Sequence, residues 1–347
     1  MFNSPCVAEG GQLAPRVDEK NNSRSGLTTL KGDATVSTDL SRRQWLSTAA
    51  LGAALPVGAV QAKEQPAREP FRYCLNTSTI RGQKLKLTQE VEIVARAGYQ
   101  AIEPWLFEIE DHVKAGGSLK DLGKRLRDRG LEVPSAIGFA EWIVDDEARR
   151  KKAFERLKQE MDWLSQLGAL RIAAPPAGAT NQADLSLSKA AERYRALLEL
   201  GDKMGVVPQV ELWGFSKCLS RLGEVALVAL ESRHPRACIL PDVFHLHKGG
   251  SGFSGLRLLS GAAVHVLHAN DYPADPPRAT VTDAHRVYPG DGVAPYKEIL
   301  RNLRDAGFRG FLSLELFNRD YWMQDALEVS RRGLEKMRAV VKNALAE

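Results

Sequence analysis

From Phe71 onward the sequence switches regularly between two hydrophobic periods, and that alternation constrains the fold more than any other feature. Apolar runs of strand length stand at 71–76, 99–105, 131–138, 169–174, 207–213, 237–242, 263–269 and 310–317. Between them lie amphipathic stretches of helical spacing. Val91, Val94 and Ala95 share one face over 88–97, and Phe154, Leu157, Met161, Leu164 and Leu167 share one over 148–167. Gly98, Gly130, Gly168, Gly205 and Gly307 sit where each helix should stop. Eight strand–helix units over roughly 280 residues is the arithmetic of a (β/α)8 barrel. A doubly wound sheet ranks second. It rarely places chemistry at the ends of its later strands over so wide an arc.

A barrel carries its active site at the C-terminal ends of the strands. Ligand-type residues should gather there, and they do. Glu103 lies near the end of the second run, Glu211 lies in the fifth, Asp242 ends the sixth, His268 lies near the end of the seventh, and Glu315 lies in the eighth. Glu315 interrupts Leu312-Ser313-Leu314-Glu315-Leu316-Phe317, and an ionised carboxylate among such neighbours is costly without a cation or hydrogen-bond partner. Glu211, Asp242, His268 and Glu315 together form a hard, oxygen-rich donor set. It suits one divalent ion, Mn, Mg or Co, with Zn also accommodated.

Other residues near those ends are candidates for substrate contact. His245 follows Asp242 by three positions, and Lys248 precedes Gly249-Gly250. Trp213 lies two residues past Glu211 and is placed to stack on a ring, while Glu103 could bind a hydroxyl. Arg286 lies in the long, Pro-rich segment 271–292, where its planar fork suits substrate oxygens. Asp271 would either orient His268 or cap its own loop. Trp105, Phe139, Trp142 and Tyr288 are weaker aromatic candidates.

Composition narrows the function class. The chain has 347 residues, 44% hydrophobic and 26% charged, with a formal charge of +5. Its basic residues are spread along helices, so no footprint for nucleic acid is present. Cys6, Cys74, Cys218 and Cys238 show no CxxC spacing, which argues against a zinc knuckle or a disulfide framework. The first 40 residues read as a disordered leader. Residues 41–62 begin Ser41-Arg42-Arg43-Gln44-Trp45-Leu46 and continue as a short small-residue apolar run to Val60-Gln61-Ala62. This resembles a twin-arginine export signal, with Trp45 where Phe is usual, and it implies a periplasmic enzyme. The run is too short to span a bilayer and gives no stable membrane anchor. Residues 63–347 then form one catalytic barrel.

These motifs resemble the sugar isomerase/epimerase family with a xylose isomerase-like barrel, most closely its inosose (2-keto-myo-inositol) isomerase branch. The resemblance rests on Glu211, Asp242-x-x-His245, His268, the Asp-x-x-Arg-x-x-Pro-Gly-x-Gly loop at 283–292 and Glu-Leu-Phe-Asn-Arg-Asp-Tyr-Trp at 315–322. It spans roughly residues 71–340. It implies one divalent metal on Glu211, Asp242, His268 and Glu315, proton transfer by Glu211 and Glu315, and a sugar or cyclitol held by His245 and Arg286. Homo-oligomers are common in the family, but no residue here specifies one.

The expected reaction is an isomerisation or epimerisation through an enediolate. A proton next to a carbonyl is too weakly acidic for a lone carboxylate, and a divalent ion offsets the charge that develops. A lyase acting on 3-keto-glycosides would start with the same proton abstraction and then expel a leaving group. A phosphodiesterase on this barrel would need further histidines from early strands, which Ile137-Gly138-Phe139 lacks. A non-catalytic sugar-binding barrel would not need a complete ligand set. Replacing Arg42 and Arg43 together with lysine is expected to leave nearly all the protein in the cytoplasm. Fractionation of expressing cells checks this, and undiminished periplasmic recovery would refute the export signal.

Overall fold

The computed structural model describes residues 70–346. The expected leader (1–40) and export signal (41–62) lie outside the described residues. Among the described residues seven parallel strands form: β1 (Arg72–Asn76), β2 (Ala101–Glu103), β3 (Arg171–Ala174), β4 (Val207–Glu211), β5 (Ile239–Leu240), β6 (Val266–Ala269) and β7 (Phe311–Leu314). They pair in the orders β2-β1-β7-β6 and β3-β4-β5.

The third apolar run, expected as a strand over 131–138, departs from expectation. It makes isolated bridges to Ala101 through Glu132 and to Trp105 through Ile137. On its other side Ala136 exchanges hydrogen bonds with Arg171 and Ala173. Pro134 explains the irregularity, because it has no N–H to give to a ladder. The segment still joins β2 to β3. Bridges from Ile239 to Val264 and from Asp242 to His268 join β5 to β6, so the ring closes.

Two apolar layers follow from strand alternation. One face of each strand packs outward on the helices, among them α1 (Leu87–Ala97), α2 (Leu106–Lys114), α3 (Leu119–Asp128) and α4 (Glu147–Leu167). The other face fills the barrel with Cys74, Ala101, Ile137, Ala173, Leu240, Val266 and Phe311. Two residues further along the same strands stand Asn76, Glu103, Asp242, His268 and Ser313, all fully buried. Apolar side chains thus form the plug, and polar ones crown it at the C-terminal end. All five glycines expected at helix ends adopt φ between 69° and 94°. Among the described residues no helix is long and apolar enough to cross a membrane.

The remaining longer helices are α5 (Leu187–Met204), α6 (Leu222–Glu231), α7 (Val243–Gly249) and α8 (Tyr296–Asp305), then α9 (Arg319–Trp322) and α10 (Ala326–Leu345). Helix α7 matters most for the site because it carries His245. It packs backbone to backbone on the segment after β4. A Cβ on Gly214 would collide with the carbonyl of His245, and one on Gly249 with the carbonyl of Ser220. Backbone cannot yield as a side-chain tip can. Gly249→Ala should therefore cost on the order of 1–3 kcal/mol, read as a lower thermal midpoint. An unchanged melting curve would show that this contact is not tight.

Candidate active site

Register decides which side chains meet. Asn76 pairs with Glu103, His268 pairs with Ser313, and Asp242 bridges to His268. Glu315 follows β7 directly, and Glu211 ends β4. The side chains converge at the mouth of the barrel. Asp242, His268 and Glu315 each present one ligand atom within 4.8 Å of the others. Glu211 stands beside them, its Oε1 3.5 Å from His268 Nδ1.

His268 shows what the cluster is suited to hold. Its Nε2 lies 3.1 Å from Glu103 Oε2, and a carboxylate only accepts, so Nε2 carries the hydrogen. In the neutral ring that leaves the lone pair on Nδ1, which is buried and has no hydrogen-bond partner. Facing it are carboxylate oxygens of Glu315 at 3.2 Å, Glu211 at 3.5 Å and Asp242 at 3.6 Å. A lone pair turned toward three anionic oxygens is repulsive unless a cation lies between them. One imidazole nitrogen and three carboxylates fit a divalent ion. The charge balance agrees. Burial pushes the Glu211 carboxyl well above its usual range, with Glu315, Asp242 and Glu103 adding to the rise. Burial would lower His268, but Glu315 and Glu103 overcome it and hold the ring well up, so without an ion Nδ1 takes a proton, and a divalent ion would stand in that proton's place.

The surrounding residues position this cluster. Glu103 takes hydrogen bonds from Ser313 Oγ at 2.6 Å and Asn76 Nδ2 at 3.0 Å, as well as from His268. Burial would raise its pKa, but His268 and these donors hold it low. Glu103 is fully buried and absent from the cavity wall, so it orients His268 and does not meet a substrate hydroxyl as expected. Asp242 caps α7, its Oδ1 accepting from His245 N at 2.7 Å, while Oδ2 accepts from Asn270 Nδ2 at 3.0 Å. Asn76, Asn270 and Ser313 escaped the sequence reading. Asn76 and Ser313 obey the rule that found the carboxylates, being polar residues at or near the ends of apolar strands.

Arg286 enters from the loop after β6. Its Nη1 donates to Asp242 Oδ2 at 2.8 Å and to Glu315 Oε2 at 2.9 Å. Asp283 grips it from behind, accepting from Nε at 3.0 Å and Nη2 at 2.6 Å. That grip explains the Asp-x-x-Arg spacing. Arg286 Nη2 also lies 3.2 Å from His245 Nε2. Arginine only donates, so Nε2 accepts and the His245 hydrogen sits on Nδ1. Burial lowers the His245 pKa despite Asp242, and the ring is neutral.

The expectation for Lys248 fails on geometry, and of the two readings of Asp271 the loop cap is the one that holds. The Lys248 ammonium donates to the carbonyls of Arg278, Ala279 and Val281 at 2.9–3.1 Å. Its three hydrogens are spent on fastening the loop, and none reaches a substrate. Asp271 does not orient His268. It accepts from the backbone N–H groups of Tyr272, Gly290, Gly292 and Ala294, which makes it a loop cap. Trp142 is buried against Pro175, and Tyr288 stacks on Tyr321 away from the mouth.

A cavity of about 410 Å³ opens over the cluster. Glu211, His245, Asp283, Arg286 and Glu315 line its floor, and Trp105, Phe139, Trp213, Phe215, Phe317 and Trp322 its walls. Trp213 is therefore where a stacking residue was expected. Changing Glu103 to Gln removes the anion that holds the His268 hydrogen on Nε2. It should weaken divalent metal binding by about 10–100-fold, read by competition with a chelating dye. Undiminished affinity would show that Glu103 does not orient His268.

Comparison with known proteins agrees with this architecture. Residues 91–340 match the profile of the xylose isomerase-like TIM barrel. Inosose isomerase of Bacillus velezensis is 25% identical over 275 residues, covering 78% of this chain and 97% of that protein. Fructoselysine 3-epimerase of Escherichia coli O157:H7 is 22% identical over 271 residues, covering 75% of this chain and 95% of that protein. Among solved structures, the IolI protein, described with a bound zinc atom, superposes with a TM-score of 0.74. It is 21% identical, over 80% of this chain and 100% of that one. With the profile covering most of the barrel, the chain belongs to the xylose isomerase-like TIM barrel family.

Proposed function

We propose that the protein is a divalent-metal-dependent isomerase or epimerase of a keto-sugar or keto-cyclitol. The observation that carries this is the pair Glu211 and Glu315. Both face one cavity and both flank the unpartnered His268 Nδ1. Similarity to inosose isomerase and to an epimerase supports the reaction class. The IolI structure with its zinc atom supports a metal at the cluster, with Mn, Mg and Co equally suited to the donor set.

Glu211, Asp242, His268 and Glu315 would hold the ion, which supplies positive charge against a developing enediolate. One glutamate removes the proton next to the carbonyl, and the other returns it to the neighbouring carbon or the opposite face. Glu211 ends β4 and Glu315 follows β7, with β5 and β6 between them in the ring, so they approach the substrate from different sides. Neutral His245 lines the cavity floor, where its ring would contact a substrate oxygen. Arg286 holds Asp242 and Glu315 in place and keeps Asp242 ionised. The aromatic walls exclude water, which strengthens each of these interactions. We further propose that the enzyme acts outside the cytoplasm, on the strength of Arg42-Arg43 and the apolar run that follows.

NMR in deuterated water tests the reading, with manganese-loaded protein and a panel of keto-cyclitols, ketoses and 3-keto-glycosides. Deuterium should appear next to a carbonyl, with an isomer as the product. Glu211→Gln and Glu315→Gln should each lower that exchange by roughly 10²–10⁴-fold, with metal content measured alongside to separate proton transfer from lost metal. Exchange retained in both variants would refute the proposal. Release of an aglycone would move the assignment to a lyase.

A further inference from the structure

The cavity has two halves of opposite character, and the proposed reaction uses only one. The floor is polar and charged. Above it the side chains form a nearly unbroken aromatic collar. Phe317 meets Trp105 at 5.9 Å between ring centroids, Trp105 meets Phe139 at 5.0 Å, and Phe139 meets Trp213 at 5.9 Å. Trp213 stacks on Phe215 at 5.3 Å, and Phe215 returns to the floor against the edge of His245 at 5.6 Å.

The collar is held in place. Arg81 lies 3.7 Å over the Trp105 ring, and the Trp105 indole N–H donates to Asn76 Oδ1 at 2.8 Å. The Trp322 indole donates to Ser78 O at 2.9 Å. Two other members are strongly exposed for their type. Phe139 keeps 43% of its surface and Phe215 keeps 50%. These two rings lie at the open end of the same cavity, on a wall continuous with the site.

A keto-polyol ring does not account for this. Such a ring has two C–H faces, and each can lie on one aromatic surface. Its hydroxyls, set against the other rings, would lose water without gaining a partner. A flat apolar group would instead gain contact with each of them. We infer that the substrate joins the keto-polyol to a planar aromatic substituent, an aryl glycoside in class. The polyol end of that substrate rests on the function proposed above. The aryl end rests on the collar alone.

Equilibrium binding tests this without turnover. Phenyl β-glucopyranoside and methyl β-glucopyranoside are titrated into manganese-loaded protein by calorimetry. The phenyl compound should bind about tenfold more tightly, and saturation-transfer NMR should mark its aromatic hydrogens most strongly. In the Phe139→Ala/Phe215→Ala double variant that preference should fall close to one. Equal affinity for the two probes, failure of both to bind, or a preference unchanged in the double variant would each overturn the inference. So would dissociation of an oligomer in the double variant, which would assign the collar to a subunit interface. The proton-exchange assay on unsubstituted keto-polyols is read separately. A phenyl preference without any exchange would uphold the aryl pocket and refute the isomerase. Exchange without a phenyl preference would do the reverse.

Discussion

The hydrogen bond from His268 Nε2 to Glu103 is the interaction on which the site depends. It fixes the orientation of the ring, and so turns Nδ1 toward Glu211, Asp242 and Glu315. Burying that many carboxylates at a barrel mouth is unfavourable unless each has a positive or donating partner. Arg286 neutralises part of the charge. Ser313, Asn76 and Asn270 supply donors to Glu103 and Asp242. What remains uncompensated is concentrated around one point, where a divalent ion would complete it.

The two most distinctive stretches of sequence turn out to be one structural device. The loop at 283–292 delivers Arg286 to Glu315, the first residue of the 315–322 stretch. Asn318, from that stretch, donates back to the Arg286 carbonyl at 3.0 Å, and Tyr321 stacks on Tyr288 at 4.2 Å. Asp271 and Lys248 clamp the other parts of the same long loop. A segment that reads as irregular is thereby held by side chains, which do for it what ladders do for strands.

Much of this was legible in the order of residues. The alternation of apolar runs and helical stretches specifies the barrel because period 2 and period 3.6 are intrinsic to the backbone. Glycines mark helix ends because positive φ is unfavourable for other residues. A carboxylate inside an apolar strand announces a site, since nothing else justifies its burial; Glu211 and Glu315 were visible on that ground. Run length alone, by contrast, overlooks Pro134, whose missing N–H makes the third run pair poorly.

Partner identity is where the sequence falls silent. Glu103, Lys248 and Asp271 each stood beside the right strands, yet the fold spends them on His268, on loop carbonyls and on backbone amides. No local pattern separates these fates, because each depends on atoms from 19 to 210 positions away brought together by the fold. The collar has the same origin. Trp105, Phe139, Trp213, Phe215 and Phe317 come from four separate segments, and only closure of the barrel sets them edge to edge. Local periodicity therefore decided the architecture and the kind of chemistry at its mouth. Long-range geometry decided which side chains do the work, because hydrogen bonds and ring contacts are made in space and not along the chain.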